Sequence, residues 1–349
     1  MDLWGDEDSP GMTNRRRTLR PGIRVLEVSS VFESYWRFAF ERQRIFRKRV
    51  AGQSPPWTTD PILSVYRFTN SFRAADRVSQ FLLRKVIYSG SQAADEVFFR
   101  TVLFRSFNRI ETWQHLQQRV GEISWAGYSY ELYGRALAEL MASLRSVYSS
   151  AYIIPSPPLG EARKHENHLR LLETMMNTQM PFRVAGCRSL EGVFRLLTTC
   201  PGLGPFLAFQ LAIDLNYSEL LGFSEMDYVE PGPGAKAGIA KCFLDAGGLT
   251  DADIIRVTAE IADEEFRRIG IEPIDLWGRP LHLVDYQNLY CEIGKYARVA
   301  HPEANGKDGR ARIKHRFLPV ATPLPQWYPP KWNLTPPQVA GETVRQAPR

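Results

Sequence analysis

Apolar residues recur at intervals of three and four along most of the chain, whereas alternating runs of β-branched residues are scarce. Spacing of this kind predicts amphipathic helices rather than strands. The pattern predicts helices at residues 28–50, 70–88, 91–107, 111–120, 129–149, 160–178, 189–199, 205–215, 235–246, 250–268 and 285–298. We therefore expect a mainly α fold.

The breaks in this pattern predict the domain organisation. The proline-rich segment at 154–158 is typical of a linker between two helical halves. We expect a disordered basic tail at 1–25, an N-terminal helical subdomain at 26–153, a second subdomain at 160–318, and a Pro-rich tail at 319–349. The C-terminal tail is expected to be extended, either disordered or strapped over the body.

Length and charge narrow the class of protein. The chain has 349 residues, with 44 Lys and Arg against 38 Asp and Glu, and a formal net charge of +6. This length suffices for one large domain or two subdomains. The excess of positive charge favours a polyanionic partner. No apolar run reaches the length of about 18 residues that indicates a membrane span, so no membrane association is expected.

The cysteines and the first residues bear on the compartment. Cys187, Cys200, Cys242 and Cys291 form no CxxC pair, which argues against structural zinc and disulfides. The first twenty residues lack the apolar segment of a secretory signal. We expect a cytoplasmic monomer that needs no metal and no organic cofactor.

The first predicted helix carries a run of cations interleaved with aromatic residues. The cations are Arg37, Arg42, Arg44, Arg47, Lys48 and Arg49. Such a run fits a nucleic-acid surface. A solvated helix face with an apolar back explains the same pattern.

A glycine-rich turn separates the predicted helices at 189–199 and 205–215. Gly202 and Gly204 permit a tight turn, Leu203 is expected to point inward, and Pro205 suits the first position of a helix. The free N–H groups of that helix would bind a DNA phosphate. An ordinary helix corner is the alternative interpretation.

Two acids follow the hairpin at a spacing that resembles the helix-hairpin-helix DNA glycosylase superfamily. Asp227 lies 23 residues after Gly204, and Glu230 lies 26 residues after it. The resemblance implies that one of the two, Asp227 by preference, stabilises the positive charge of the sugar and positions water. Both acids are otherwise surface residues. Phe206 stands where members with lyase activity carry a lysine, so the resemblance implies a monofunctional enzyme that leaves an abasic site.

Two further segments carry polar residues at helical spacing. Asn70, Arg73 and Arg77 recur at intervals of three and four, which predicts a shared helix face. Asp285 and Asn288 lie on the last predicted helix. Either face is solvated or lines a cleft.

Three motifs extend the resemblance to a more specific family. These are FTNxFRxxDR, GPGAKxGI and DxxNxxCExxKYxR, starting at Phe68, Gly232 and Asp285. Over residues 30–310 the chain resembles alpha-glutamyl/putrescinyl thymine pyrophosphorylases and the helical domain of 5-hydroxymethyluracil DNA kinases. The family resembles divergent helix-hairpin-helix glycosylases, some of them anti-phage enzymes. The resemblance implies a glycosylase-like fold of two helical subdomains that flank a cleft, and a role in hypermodified phage DNA.

The function expected from these patterns is excision. No GxxxxGK[ST] motif occurs, which argues against a kinase on this chain alone. We expect a monofunctional glycosylase that flips and removes a hydroxymethylated or glucosylated pyrimidine from double-stranded phage DNA. The alternatives are a transferase that attaches an amine or amino acid to an activated 5-hydroxymethylpyrimidine, and a non-catalytic DNA-binding module.

Residue roles follow from this expectation. The expected catalytic residues are Asp227 and Glu230. The expected base pocket consists of Asn70, Arg73, Asp76, Arg77, Asp285 and Asn288. The residues expected to bind DNA are Gly202, Leu203, Gly204, Phe206, Gly234, Lys236 and Lys295.

Overall fold

The structure is a computed structural model that describes residues 17–22, 24–143, 146–150, 153–304, 312–318 and 325–337. Within these residues the protein is mainly helical, as the periodicity predicts. The chain divides into two compact units. Unit 1 comprises Met1–Asp76, Pro231–Gln326 and Leu334–Arg349, and unit 2 comprises Arg77–Glu230 and Trp327–Asn333.

This division differs from the predicted one. The linker at 154–158 lies inside unit 2, and the chain passes between units after Asp76 and after Glu230. Residues 26–153 and 160–318 therefore do not form separate bodies. The reason is that the first helix of the chain packs against its last long helix. Local sequence patterns do not predict a contact between segments so far apart in the chain.

Three of the α-helices of unit 1 pack together to form its core. Its helices are α1 (Ser30–Val50), α10 (Pro233–Cys242), α11 (Asp251–Glu260), α12 (Ala262–Arg268) and α13 (Leu283–Ala300). The contacts between α10 and α13 are the most extensive in the protein, and α1 packs on both. Tyr35 of α1 and Tyr290 of α13 are fully buried, with ring centroids 4.5 Å apart. Burial of such large aromatic side chains is the main stabilising contribution to this core.

A small antiparallel sheet completes unit 1. Strand β1 (Arg17–Leu19) pairs with β2 (Leu26–Val28), which pairs with β3 (Phe243–Asp245). The prediction of a disordered tail at 1–25 is therefore wrong for 17–19, while residues 1–16 and 23 lie outside the described residues. A hairpin of β4 (Asp275–Leu276) and β5 (Arg279–Pro280) precedes α13.

Helix α10 ends earlier than the sequence predicts. The predicted helix at 235–246 stops at Cys242, and the chain continues as β3. Ser29 accounts for the change. Its backbone N–H donates to the carbonyl of Cys242 at 2.8 Å, and its hydroxyl donates to that of Lys241. These bonds satisfy terminal carbonyl groups of the helix and stop it there.

In the described part of the chain, the regular secondary structure of unit 2 is helical. Its helices are α2 (Arg77–Phe81), a π-helical turn (Leu82–Ile87), α3 (Ala94–Phe107), α4 (Ile110–Val120), α5 (Tyr130–Ala142), α6 (Lys164–Asn177), α7 (Met180–Ala185), α8 (Leu190–Thr198) and α9 (Pro205–Asn216). Arg105 of α3 donates to the buried Asp214 of α9 at 2.8 Å. This ion pair ties the hairpin helix to the centre of the unit.

The predicted helix at 70–88 is broken. Residues 69–72 form a loop, Arg73–Ala75 form a 3-10 turn, and the α-helix begins only at Arg77. Asn and Asp side chains compete for backbone groups and favour loops over helix interiors. The expected face that Asn70 and Arg73 share with Arg77 therefore does not exist.

Part of the C-terminal tail is strapped onto unit 2. Residues 327–333 include a 3-10 turn at Pro330–Trp332. The ammonium of Lys331 donates to the carbonyls of Asn216, Ser218 and Leu221 at 2.6–2.7 Å. These carbonyls lie at and after the end of α9, where a cation is favoured. Residues 319–324 and 338–349 of the predicted tail lie outside the described residues.

None of the helices in the described part of the chain has the length and apolar character that crossing a bilayer requires.

Candidate active site

A short loop of unit 1, residues 69–76, is closed by hydrogen bonds of its own side chains. The Asn70 amide Nδ2 donates to the Ala75 carbonyl at 2.8 Å. The backbone N–H of Asn70 donates to Oδ1 of Asp76, also at 2.8 Å. These bonds take the place of helical ones. The 69–76 loop therefore holds its polar side chains in fixed positions.

Helix α1 supports this loop through a buried arginine. Arg42 donates from Nη2 to Oδ1 of Asn70 at 3.0 Å, and from Nε to the Thr69 carbonyl at 2.9 Å. The Ser71 hydroxyl donates to the Ala39 carbonyl at 2.8 Å. Burial lowers the pKa of Arg42 to about 10. The guanidinium is therefore still charged at neutral pH and places a positive charge behind the loop.

Helix α13 holds the other side of the loop with two carboxylates. Oδ1 of Asp285 accepts from the backbone N–H of Arg73 at 2.8 Å, and Oε2 of Glu292 accepts from that of Thr69 at 3.2 Å. The Lys295 ammonium lies 2.6 Å from Glu292. Positions seven residues apart lie on one helix face. The two carboxylates therefore fix the start and the middle of the loop, with a lysine beside one of them.

The electrostatics of this cluster are unusual at one carboxyl group. Burial raises the pKa of Asp76 to about 7, and the negative charge of Glu292 adds to the rise, while the hydrogen bond from Asn70 opposes it. Burial also raises the pKa of Asp285. A carboxyl group that titrates near neutral pH is suited to accept and release a proton. Asp76 is therefore the candidate general base.

Four of the six residues expected in the base pocket share this cluster. They are Asn70, Arg73, Asp76 and Asp285. Asn288 lies half-buried on α13. Arg77 is exposed as the first residue of α2 and belongs to unit 2. We use the name loop cluster for the following residues: Asn70, Arg73, Asp76, Asp285, Arg42, Glu292 and Lys295.

The GPGAKxGI motif has a packing explanation at its glycines. A Cβ atom on Gly238 would lie 1.9 Å from the Tyr290 carbonyl oxygen, and one on Gly234 would lie 2.9 Å from the Cys291 sulfur. The glycines thus allow α10 and α13 to pack closely. Lys236, between them, is exposed on the first turn of α10. Lys236 therefore exposes a charged group that could contact a phosphate, whereas Gly234 and Gly238 serve the packing of the two helices.

The predicted hairpin of unit 2 is formed by α8, a turn and α9. Gly202 has φ +83°, and a Cβ there would lie 3.0 Å from Cα of Pro157. Gly204 caps α9 in an extended conformation, with no side chain bonded to the helix N-terminus. Leu203 is half-exposed rather than turned inward, and Phe206 is half-buried in the first turn of α9. The turn therefore requires glycine at Gly202, and its contact with a DNA phosphate stays a prediction.

The two acids expected to be catalytic lie in unit 2, outside the loop cluster. Asp227 is exposed. Glu230 is half-buried and accepts a hydrogen bond from the Tyr228 hydroxyl at 3.1 Å. The Tyr228 ring packs on Phe194, with centroids 5.1 Å apart. Both acids are therefore more exposed than Asp285 and Glu292 of the loop cluster, which are buried.

Sequence reasoning did not assign Arg42 and Glu292 to the site. Arg42 was hidden in a run of cations, and its burial distinguishes it from its neighbours. Glu292 follows Asp285 by two helical turns. That seven-residue spacing of two carboxylates, in a helix with few other acids, is the signal that would have identified it.

Comparisons with known proteins place this chain in a family. Residues 29–306 match the family described as 5-hmdU DNA kinase, helical domain, and the chain belongs to it. A 5-hmdU DNA kinase of Bacillus phage SP10 is 30% identical over 290 residues, which cover 76% of this chain and 45% of that protein. The chain thus spans about half the length of that relative. No solved structure was found to match it.

These findings correct the expected function. The predicted resemblance to the 5-hydroxymethyluracil DNA kinase helical domain is confirmed. The prediction of a glycosylase, a hydrolase that excises a base, is wrong, because the family and the relative are named as kinases, which are transferases. The missing GxxxxGK[ST] motif was given too much weight, since a helical domain can belong to a kinase family without carrying that motif.

Proposed function

We propose that this chain is a transferase that acts on the 5-hydroxymethyl group of a pyrimidine base in DNA. Membership of the 5-hmdU DNA kinase helical-domain family supports the substrate class. The observation that carries the proposal is the Asp76 carboxyl group, which has a pKa of about 7 and a fixed place in the loop cluster. Transfer to a hydroxyl group needs such a base.

The first candidate reaction is phosphoryl transfer. Ionised Asp76 accepts the proton of the 5-hydroxymethyl hydroxyl. The hydroxyl oxygen then forms a bond to the terminal phosphorus of a nucleoside triphosphate, and the bond from that phosphorus to the bridging oxygen breaks, with its electron pair leaving on the diphosphate. An aspartate accepts the hydroxyl proton in protein kinases in the same way. The cations Arg42 and Lys295 favour the negative charge that develops.

A second candidate is displacement by an amine. The motifs FTNxFRxxDR, GPGAKxGI and DxxNxxCExxKYxR favour it, because they resemble those of alpha-glutamyl/putrescinyl thymine pyrophosphorylases, whose substrate base already carries pyrophosphate. The amine nitrogen bonds to the methylene carbon, the carbon–oxygen bond breaks, and pyrophosphate leaves. Asp76 then accepts the proton that the nitrogen loses.

We propose that the hairpin of unit 2 holds the DNA backbone. Gly204, the N-cap of α9, has no side chain that could bond to the helix N-terminus, and the positive end of the helix dipole favours a phosphate there, in the manner of a helix-hairpin-helix. Gly202, Leu203 and Gly204 form this contact, with exposed Lys236 of unit 1 as a further phosphate contact. The base enters a pocket lined by Asn70, Arg73, Asp285 and Asn288. The partner is double-stranded DNA with modified bases.

The proposal is tested on duplex DNA that contains either 5-hydroxymethyluracil or thymine. One reaction contains a nucleoside triphosphate and Mg²⁺. The other contains a primary amine and DNA whose hydroxymethyl group carries pyrophosphate. Digestion to nucleosides and mass spectrometry then identify the product. We expect modification of the hydroxymethylated base in one of the two reactions, and none of thymine.

The matched variants are Asp76→Asn and Asp263→Asn. Asp263 is an exposed carboxylate on α12 of the same unit. We expect product to disappear in the first variant and to persist in the second. Absence of product in both reactions, or equal modification of thymine, would overturn the proposal.

A further inference from the structure

A concave site of unit 1 lies along α1, apart from the loop cluster. It is a cavity of about 290 Å³ between α1 and residues 273–275. Small-molecule sites begin at roughly this size. We call it the α1 groove. Its relevant lining residues are Phe40, Gln43, Arg44, Arg47, Lys48 and Ile274.

The rim of the α1 groove is cationic. Arg44 is half-exposed and pairs with Glu41 at 3.0 Å. Lys48 donates to the Trp57 carbonyl at 2.8 Å. An arginine has five N–H donors and a lysine three, so these partners leave donors for an anion. The basic run that the sequence singles out thus contributes three cations to one cavity.

One of these cations is held in place before any ligand arrives. Arg47 donates from Nη2 to Asp275 Oδ1 at 2.7 Å, and its guanidinium lies 5.2 Å from the ring centroid of Trp277. Trp277 has φ +52°, a backbone conformation that is rare for a bulky aromatic residue. A cation fixed in this way loses little conformational freedom when an anion binds.

The wall of the groove contains an unsatisfied acceptor. Gln43 is 4% exposed, and its amide Nε2 donates to the Asp275 carbonyl at 2.6 Å. Its carbonyl Oε1 is buried and accepts no hydrogen bond. A buried acceptor without a donor costs free energy, which a ligand N–H would recover. Phe40 and Ile274 provide the apolar surface beside it.

We propose that the α1 groove binds a nucleoside phosphate. The flat face of the base packs on Phe40 and Ile274, an N–H of the base donates to Gln43, and the phosphate accepts from Arg44 and Lys48. This site goes beyond the proposed function, which concerns the loop cluster. Two ligands present a base and a phosphate in this way: a nucleotide of a DNA strand and a free nucleoside triphosphate.

The test measures binding of both sources to the full chain. A fluorescent single-stranded oligonucleotide is followed by anisotropy, and ATP and GTP by calorimetry. Arg44→Glu and Lys48→Glu are compared with Arg119→Glu, which makes the same charge change at an exposed ion pair of unit 2. We expect Kd for one source to rise about tenfold or more in the first two variants, and less than about twofold in the third.

Three further measurements separate the parts of the proposal. Gln43→Leu should weaken binding of the nucleotide but not of inorganic phosphate, which lacks the base. Acetylation of Lys48 in the wild-type chain should slow when the nucleotide is bound, which gives a result even if a charge-reversal variant fails to fold. Unchanged Kd for both sources in folded variants would overturn the proposal. So would inorganic phosphate that competes as strongly as the nucleotide.

Discussion

The loop cluster of unit 1 and the hairpin of unit 2 both contain residues that the sequence singles out, but their surroundings differ. The loop cluster buries Asp285 and Glu292, and the half-buried Asp76 acquires a pKa of about 7. The hairpin is half-exposed, and Asp227 near it is exposed. Proton transfer is favoured by a buried carboxyl group, whereas phosphate binding needs accessible N–H groups. The comparison therefore supports the proposal that the loop cluster carries the chemistry and that the hairpin binds the DNA backbone.

The largest expected effect concerns Asp76. Asp76→Asn keeps an oxygen for the Asn70 N–H but removes the proton acceptor. Transfer activity should fall about 100- to 10,000-fold, the range for loss of a general base. Rates with hydroxymethylated DNA measure this, with Asp263→Asn as the control. Loss of activity in Asp227→Asn or Glu230→Gln, with Asp76→Asn still active, would reverse the assignment of the two regions.

The second prediction concerns stability and pH. The folded pKa of Asp76, about 7, exceeds the ordinary aspartate value of 3.8, so the folded state binds this proton more tightly than the unfolded state does. The resulting stabilisation is complete below about pH 4 and is lost as pH rises through 7. The unfolding free energy of the wild type should fall relative to that of Asp76→Asn by a few kcal/mol over this range. Denaturant titrations at pH 5 and 8 check it, and an equal dependence on pH in the two proteins would contradict the raised pKa of Asp76.

The third prediction compares two glycines of the hairpin. Gly202→Ala should destabilise the protein by about 1–3 kcal/mol, because φ is +83° and Pro157 lies too close. Gly204→Ala should cost less than about 1 kcal/mol, since its φ is −69° and a Cβ meets no atom within 4 Å. Denaturant unfolding measures both. Equal losses would mean that the turn does not have this conformation.

The smallest expected effect concerns Lys236. If this exposed lysine contacts one phosphate, Lys236→Ala should weaken DNA binding equally for modified and unmodified sequences. The slope of log K against log salt should decrease by about 1. Anisotropy titrations at several salt concentrations measure the slope. An unchanged slope would remove Lys236 from the DNA contacts.

Much of the helical fold followed from periodicity alone. The helices at 189–199 and 205–215 were predicted within about one residue of α8 and α9. The failures occur where side chains outside the segment decide the structure. Ser29 ends α10 at Cys242, and the Asn70 and Asp76 side chains break the helix predicted at 70–88. Local patterns do not contain these distant or competing hydrogen bonds.

The loop cluster was predicted only in part, for a similar reason. Asn70, Arg73, Asp76 and Asp285 were grouped correctly, although a shared helix face was the wrong reason. Spacing gives no measure of burial, so nothing in the sequence separated Asp76 from Asp227 as a proton acceptor. Burial and the charge of Glu292 make that difference, and both depend on the packing of α1 and α13 around the loop.

Photo-crosslinking shows whether the target base enters the loop cluster. A duplex carries a photoreactive group at the 5-position of one pyrimidine, and the crosslinked peptides are identified by mass spectrometry. We expect crosslinks within residues 69–76 or 285–295 if the base enters the loop cluster. Crosslinks confined to residues 227–230 would contradict it.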